Sequence, residues 1–260
     1  MRYIFLLGLF VQGSFAASDK CRGLVLAGGA NYGAWEAGVI WGLTHYGNPE
    51  DFTWDVVTGV SAGGINTAGT AGFNVGDEIA MAEFLSDAWA NLTTHDIWVN
   101  WPGGPYAALL FKQGILDTTP AVKFFRTLLG QFDKFSDRQF FIGSANVDTG
   151  SYEVFTKDNI AFEDMPVVMM ASGSIPTVFP NQHYKGMNLM DGGTIWDTNV
   201  DSAINACLHM GYSQKDIIID ILTVTYSSLP TEAKTGKTIN NLVEAHHIKS
   251  AYNGIDSIYA

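Results

Sequence analysis

Ser61 lies in a five-residue segment whose residue types suit a nucleophilic serine. The segment Gly59–Gly63 reads GVSAG, the pattern Gly-x-Ser-x-Gly, between a predicted buried strand and a predicted small-residue helix. A tight turn there would strain the serine backbone and expose its Oγ, which requires small residues such as Gly59 and Gly63 on either side. The helix behind Ser61 would direct unsatisfied N–H groups and its positive dipole end toward the same place. The segment therefore predicts a serine that attacks a carbonyl group.

A second glycine-rich turn, Gly28–Gly33, follows the strand before that one. Neighbouring parallel strands place their C-terminal turns on the same sheet edge, so the N–H groups of Gly28, Gly29 and Ala30 are expected near Ser61. The alternative is a dinucleotide-binding turn. It is disfavoured because Ala30 occupies the second glycine position and the next strand ends in Ser61 rather than an acidic residue.

The segments occur in an order that differs from that of an ordinary α/β-hydrolase, because only one strand precedes the strand that carries Ser61. The order resembles that of patatin-like phospholipases, which carry a glycine-rich loop, Gly-x-Ser-x-Gly and Asp-Gly-Gly in succession. The matching segments are LAGGANYGA at 26–34, GVSAG at 59–63 and MDGG at 190–193, with ASGSIPTVFP at 171–180 before the aspartate. The resemblance covers about residues 22–225.

This resemblance implies a lipid acyl hydrolase with a Ser-Asp dyad. Asp191, followed by Gly192 and Gly193, would accept the Ser61 proton directly, and the N–H groups of Gly28, Gly29 and Ala30 would form the oxyanion hole. No histidine is needed. A carboxylate is a weak base in water, so the dyad requires a partly dry pocket that raises the Asp191 pKa.

The chain departs from the family pattern at two positions of the first turn. Ala30 stands where a third glycine is usual, and Tyr32 stands where the family usually has Lys or Arg. The missing basic residue leaves any preference for a phosphate-bearing substrate open. Ala30 adopts fewer backbone conformations than glycine, so the turn geometry is expected to differ slightly.

Hydrophobic periodicity predicts alternating strands and helices, typical of an α/β fold: a three-layer α/β/α arrangement with a mostly parallel central sheet. We expect a long aromatic loop at 93–119 with a binding or lid role or as an ordinary surface connection. Strands are predicted at 22–27, 54–60, 140–147, 152–156 and 217–225, and helices at 34–45, 62–71, 77–90, 119–129, 163–171 and 239–252.

The ends and composition indicate one exported domain. Residues 1–16 have the pattern of a signal peptide, too short for a membrane anchor, which leaves a single domain over 17–260. We expect a secreted protein or one in an endomembrane or lysosome-like lumen. Cys21 and Cys207 would form a disulfide there or remain two buried thiols, and Asn91 begins a glycosylation sequon.

The formal net charge of −12 argues against nucleic acid as a partner and against electrostatic adsorption to anionic membranes. The expected partner is a lipid or another acyl ester, with transient contact to a membrane or lipid aggregate. No cofactor is implied, and the sequence carries neither a zinc motif nor a calcium loop.

Two other functions remain open at this stage. His209 and the pair His246–His247 follow both Ser61 and Asp191, which allows a Ser-Asp-His esterase. A storage or lipid-binding protein on the same fold is the non-enzymatic alternative, since a fold does not fix a function. The sequence does not identify the lipid class.

Overall fold

The structure is a computed structural model that describes residues 19–224. Its strands are β1 Cys21–Leu26, β2 Val56–Val60, β3 Val99–Asn100, β4 Leu116–Asp117, β5 Gln139–Asn146, β6 Tyr152–Phe155, β7 Gln182–Tyr184, β8 Met187–Asp191 and β9 Ile217–Leu222. Its α-helices are α1 Gly33–Tyr46, α2 Ala62–Thr70, α3 Glu78–Asn91, α4 Thr94–Ile97, α5 Gly104–Phe111, α6 Thr119–Leu129, α7 Met165–Ser172 and α8 Val200–His209.

The main sheet has seven strands in the order β7-β8-β5-β2-β1-β9, with β6 also paired to β5. Strands β9, β1, β2 and β5 run parallel, whereas β6, β7 and β8 join by antiparallel pairing. Every residue of β2 is buried, as expected for a parallel strand with helices on both faces. The short pair β3 and β4 forms a separate antiparallel ribbon.

Strand β5 brings together the ends of two strands that are far apart in the sequence. Its residues Ile142 and Gly143 pair with both β2 and β6, and its residues Ser144 and Ala145 pair with both β6 and β8. Since a strand has only two edges, β2 and β8 share one edge of β5, opposite β6. The C-terminal ends of β2 and β8 therefore meet along that edge.

Helices cover both faces of the sheet. The apolar cluster around α1 and α3 lies on one face, where Leu24 and Val57 contribute, and the cluster around α8 lies on the other, where Val25 and Val56 contribute. A third cluster packs α2, α6 and α7 against β5. The predicted three-layer α/β/α architecture with a mostly parallel sheet is confirmed. Within residues 19–224 no helix is both long and apolar enough to cross a bilayer.

Most predicted elements appear within one or two residues of their expected bounds. The prediction of a loop over 93–119 was wrong, because this segment folds into α4, α5 and the β3–β4 ribbon. Strands β7 and β8 had not been predicted. The helix predicted at 239–252 and the signal peptide at 1–16 lie outside the described residues, and the single domain over 17–260 stays a prediction.

Cys21 and Cys207 form a disulfide, with their Cα atoms 5.8 Å apart. The bond joins the first residue of β1 to α8 across 186 positions of sequence. It thus ties the start of β1 to the helix that covers one face of the sheet. A cross-link over so long a loop restricts the unfolded chain and contributes on the order of 2–5 kcal/mol.

Candidate active site

Ser61 occupies the turn between β2 and α2 in a strained backbone conformation, with φ 54° and ψ −121°. The flanking glycines are required by close packing. A Cβ at Gly59 would lie 2.1 Å from the carbonyl oxygen of Gly63, and one at Gly63 would lie 2.3 Å from that of Leu26. Any larger residue would displace the helix from the sheet, which explains the small residues predicted around the nucleophile.

The side chains of Ser61 and Asp191 contact each other directly. Ser61 Oγ donates a hydrogen bond of 2.7 Å to Asp191 Oδ2. The other carboxylate oxygen, Oδ1, accepts the N–H of Gly193 at 2.8 Å, which fixes the orientation of the carboxyl group. Gly192 packs so closely that a Cβ there would lie 2.6 Å from the carbonyl oxygen of Gly143. The structure therefore brings together two residues 130 positions apart.

Burial changes the acid–base behaviour of Asp191. Its residue is only 5% exposed, and this desolvation raises the pKa of the carboxyl group to about 6. The hydrogen bonds from Ser61 and Gly193 act in the opposite direction because they stabilise the anion. A carboxylate with this pKa is a stronger base than one in water and is still ionised at neutral pH.

Ser172 supports the turn of the nucleophile from the end of α7. Its Oγ accepts the N–H of Ser61 at 2.9 Å and donates to the carbonyl oxygen of Gly143 at 2.7 Å. Sequence reasoning did not assign it a role, although it lies inside the segment 171–180. The signal available was a serine at the end of an otherwise apolar helix, which needs hydrogen-bond partners once buried.

The first glycine-rich turn lies against Ser61, since a Cβ at Gly28 would be 3.2 Å from the Cβ of Ser61. The Gly28 N–H donates to the carbonyl oxygen of Asp197 at 3.1 Å. The N–H groups of Gly29 and Ala30 have no acceptor within residues 19–224. Ala30 has φ 50°, a conformation that glycine adopts more easily. The turn that carries the expected oxyanion donors thus lies beside Ser61, with the Gly28 N–H already bonded, and their role stays a prediction.

Two further carboxyl groups are buried near the dyad, and sequence reasoning identified neither. Asp197 is 7% exposed, and burial together with the negative charge of Asp191 raises its pKa to about 7. Glu36 on α1 has no exposed surface, and burial raises its pKa well above the usual range, with a smaller contribution from Asp197. No local pattern marked either residue, because only the folded chain places them together.

A cavity of about 560 Å³ extends from Ser61 between the helices, within the range of small-molecule sites. Helices α2, α3, α4, α6 and α7 contribute its wall, which is mostly apolar. The large apolar side chains that line it are Ile65, Phe84, Leu85, Trp89, Leu92, Ile97, Trp98, Phe124, Phe125, Leu128, Met170, Ile175 and Phe179. A long hydrocarbon chain could be buried there with its polar end at Ser61.

The other residues singled out from the sequence lie apart from the dyad contacts. His209 is exposed at the end of α8, and His246–His247 lie outside the described residues. Asn91 is exposed at the end of α3 and donates through Nδ2 to the carbonyl oxygen of Asp87. Tyr32 is 46% exposed in the turn before α1. Between residues 19 and 224 no group of His, Cys, Asp and Glu could hold a metal ion.

A serine on a strained strand-to-helix turn, bonded to a buried carboxylate beside an apolar cavity, defines a site of the serine-hydrolase kind. The sequence model of the patatin-like phospholipase family matches residues 24–204, and the chain belongs to this family. No curated protein matches the chain. Among solved structures, VipD from Legionella pneumophila is similar, with 14% identity and a TM-score of 0.42 over 79% of this chain. The match covers 50% of VipD, so this chain spans about half its length.

Proposed function

We propose that the protein is a lipid acyl hydrolase that cleaves carboxylic esters through a Ser61–Asp191 dyad. The observation that carries the proposal is the 2.7 Å hydrogen bond from Ser61 Oγ to Asp191 Oδ2. Both groups are almost fully buried, and Asp191 accepts this bond itself rather than bonding a histidine within the described residues. This arrangement favours a dyad over the Ser-Asp-His alternative.

The reaction would proceed in two steps. Asp191 accepts the Ser61 proton while Oγ bonds to the ester carbonyl carbon, and the C–O bond to the alcohol then breaks as the alcohol takes that proton. Water next loses a proton to Asp191 and attacks the carbonyl carbon of the acyl-enzyme. The bond from this carbon to Ser61 Oγ then breaks, Asp191 returns the proton to Oγ, and the fatty acid is released. In both steps the N–H groups of Gly29 and Ala30 would stabilise the oxyanion.

The cavity supports a lipid acyl chain as the group that is bound. Its wall offers few polar partners for a sugar, a nucleotide or a charged peptide, whereas a hydrocarbon chain would gain free energy by leaving water. The same wall would serve the non-enzymatic alternative, a lipid-binding protein. The strained Ser61 turn favours the enzyme, because such strain persists where a function requires the side chain to be held in one position.

Helix α5 supports contact with a lipid aggregate. Its side chains of Tyr106, Leu109, Leu110 and Phe111 are between 73% and 85% exposed. The segment is attached to the cavity wall: Ile97 and Trp98 before it line the cavity, and the Leu116 N–H after it donates to the carbonyl oxygen of Val178. We propose that α5 inserts into a lipid surface, so that an acyl chain passes directly toward Ser61.

We further propose that the protein works in an oxidising compartment, secreted or in an endomembrane lumen. The support is the predicted signal peptide at 1–16 and the Cys21–Cys207 disulfide, because such bonds persist mainly outside the cytosol.

Labelling with a fluorophosphonate probe tests the dyad. We expect the wild type and Ser213→Ala, which removes an exposed serine, to be labelled, and Ser61→Ala to remain unlabelled. Asp191→Asn should lower kcat/KM for ester hydrolysis by about 10²–10⁴-fold, the usual contribution of a positioned base, whereas Asp201→Asn on the surface of α8 should not. Equal labelling of Ser61→Ala, or full activity of Asp191→Asn, would exclude the dyad.

A further inference from the structure

The carboxyl group of Asp197 lies between the two glycine turns of the site. A Cβ at Gly28 would be 2.4 Å from Asp197 Oδ1, and a Cβ at Gly193 would be 3.1 Å from Oδ1 of both Asp197 and Asp191. No side chain therefore separates Asp197 from the oxyanion turn or from the proposed base. Its backbone carbonyl oxygen also accepts the Gly28 N–H at 3.1 Å.

The groups that act on this carboxyl group supply no positive charge. Asp191 at the end of β8 and Glu36 on α1 are acidic, and Tyr152 on β6 has a buried hydroxyl group with no hydrogen-bond partner in the described structure. Burial raises the Tyr152 pKa most, and the charges of Asp191 and Asp197 raise it further, which places both carboxyl groups near its hydroxyl group. The ion pairs within residues 19–224 lie elsewhere: Lys20–Asp216, Arg22–Asp51, His45–Glu83 and Arg138–Glu78. Buried like charges without a cation cannot all ionise.

Both aspartates are buried, and their hydrogen bonds and mutual repulsion decide which of them ionises first. Asp191 receives the hydroxyl group of Ser61 and the N–H of Gly193, and its pKa is about 6. Burial raises the pKa of Asp197 most, the Asp191 anion raises it further, and only the Gly28 N–H lowers it, so that its pKa is about 7. As the pH rises, Asp191 therefore loses its proton before Asp197.

We propose that Asp197 is a positioning residue that works with its carboxyl group protonated, so that Asp191 is the only anion beside Ser61 when the ester binds. This inference rests on the proposed hydrolase function. Its backbone carbonyl holds the Gly28 turn against Ser61, and its neutral side chain fills the space between the turns.

Charge balance during the reaction explains why the protonated form is needed. Proton transfer from Ser61 to Asp191 neutralises one carboxylate while a negative charge forms on the substrate oxygen, so the site holds one negative charge throughout. An ionised Asp197 would add a second charge next to the Gly28 turn, where the oxyanion must be stabilised. Electrostatic repulsion in this buried site would raise the energy of the transition state.

The pH profile of kcat/KM for a soluble monomeric ester tests the inference. The wild type should lose activity below about pH 6, where Asp191 takes up a proton, and above about pH 7, where Asp197 ionises, with an approximately tenfold loss by pH 8. Asp197→Asn should keep the acid limb and lose the alkaline limb. The surface variant Asp201→Asn should keep both limbs. An alkaline limb that persists in Asp197→Asn would overturn the proposal.

A measurement on the wild type covers the case in which Asp197→Asn fails to fold. Infrared difference spectra of protein labelled with carbon-13 aspartate should show a protonated aspartate that ionises between about pH 6.5 and 8. No such signal would overturn the role of Asp197. A protein that shows this signal but leaves Ser61 unlabelled by fluorophosphonate would refute the hydrolase function instead.

Discussion

Glu36 shows how a buried acid can link the site to the packing of three helices. Its Oε2 accepts a hydrogen bond of 2.9 Å from Asn66 Nδ2 on α2, and Asn66 Oδ1 accepts the indole N–H of Trp89 on α3 at 2.7 Å. The other carboxyl oxygen of Glu36, Oε1, is buried without a hydrogen-bond partner in the described part of the chain. Trp89 lines the cavity, so this hydrogen-bonded network also shapes the cavity.

Glu36→Gln should make the protein less sensitive to rising pH. The folded-state pKa of Glu36 is raised, so the folded protein holds this proton more tightly than the unfolded chain. The stability from the neutral group is complete below the unfolded pKa and is lost as pH rises toward the folded value, by at most about 1.4 kcal/mol per pH unit. Urea unfolding at pH 5 and pH 8, with the disulfide intact, measures this effect. The free energy of unfolding should decrease less between these two pH values in the variant than in the wild type.

The exposed substitution Glu50→Gln is the control and should leave the pH dependence of the wild type unchanged. If the free energy of unfolding of Glu36→Gln decreases with pH as much as that of the wild type, Glu36 does not hold a proton more tightly in the folded state.

At the scale of elements, burial on both faces decided what the sequence could predict. Strand β2 reads VVTGV without polar alternation, and α2 consists mostly of small residues, so both were predictable from local patterns. The pair β7 and β8 has few fully buried residues, and α5 is apolar yet exposed. Neither pattern matches a local rule, because pairing with β5 and attachment to the cavity wall determine these elements.

The site was predictable to the same degree. The turn around Ser61 follows from its own residues, whereas Asp191 was assigned only by resemblance, since its contact with Ser61 depends on the shared edge of β5. Asp197 and Glu36 had no local signal, because their roles arise from burial in the folded chain. Ser172 had only a weak one, its place at the end of an apolar helix.

Helix α3 allows a matched test of the acyl site. Ala88 lines the cavity, whereas Ala90 on the same helix is exposed. Ala88→Phe should fill part of the cavity and reduce the ratio of long-chain to short-chain kcat/KM by about tenfold or more, because a few methylene groups lose their apolar contacts. Ala90→Phe carries the same helix-propensity change and should leave the ratio unaltered. The measurement is hydrolysis of p-nitrophenyl esters of increasing chain length, and an unchanged ratio in Ala88→Phe would place the acyl chain elsewhere.

At the scale of the whole molecule, the net charge and the α5 segment together determine which lipid surface the protein can approach. The chain carries a formal charge of −12, which opposes adsorption to anionic lipid at a distance. Residues 97–116 contain no Asp or Glu, and their one charged side chain, Lys112, lies 4.6 Å from the centre of the Trp101 ring. This local region can approach a lipid surface without bringing a carboxylate into it.

We therefore predict that the protein binds zwitterionic vesicles more strongly than anionic ones, and that added salt narrows the difference by screening the repulsion. Leu109→Ser combined with Phe111→Ser should weaken vesicle binding by about tenfold or more, because two inserted apolar side chains are lost. Tyr46→Ser removes a side chain that is 81% exposed on α1 and should bind as the wild type does. The double variant and Tyr46→Ser should both hydrolyse a soluble monomeric ester as the wild type does, since α5 does not line the cavity.

Sedimentation with vesicles measures the binding, and two other outcomes would assign α5 differently. A double variant that changes from dimer to monomer, with vesicle binding intact, would show that α5 contacts a second copy of the chain. If removal of residues 225–260 strengthens vesicle binding in the wild type but not in the double variant, that segment covers α5 in solution. The apolar side chains of α5 lie on a segment that is attached to the cavity wall but does not line the cavity. If α5 inserts into lipid, the double variant should therefore lose activity on aggregated substrate and keep its activity on the soluble ester.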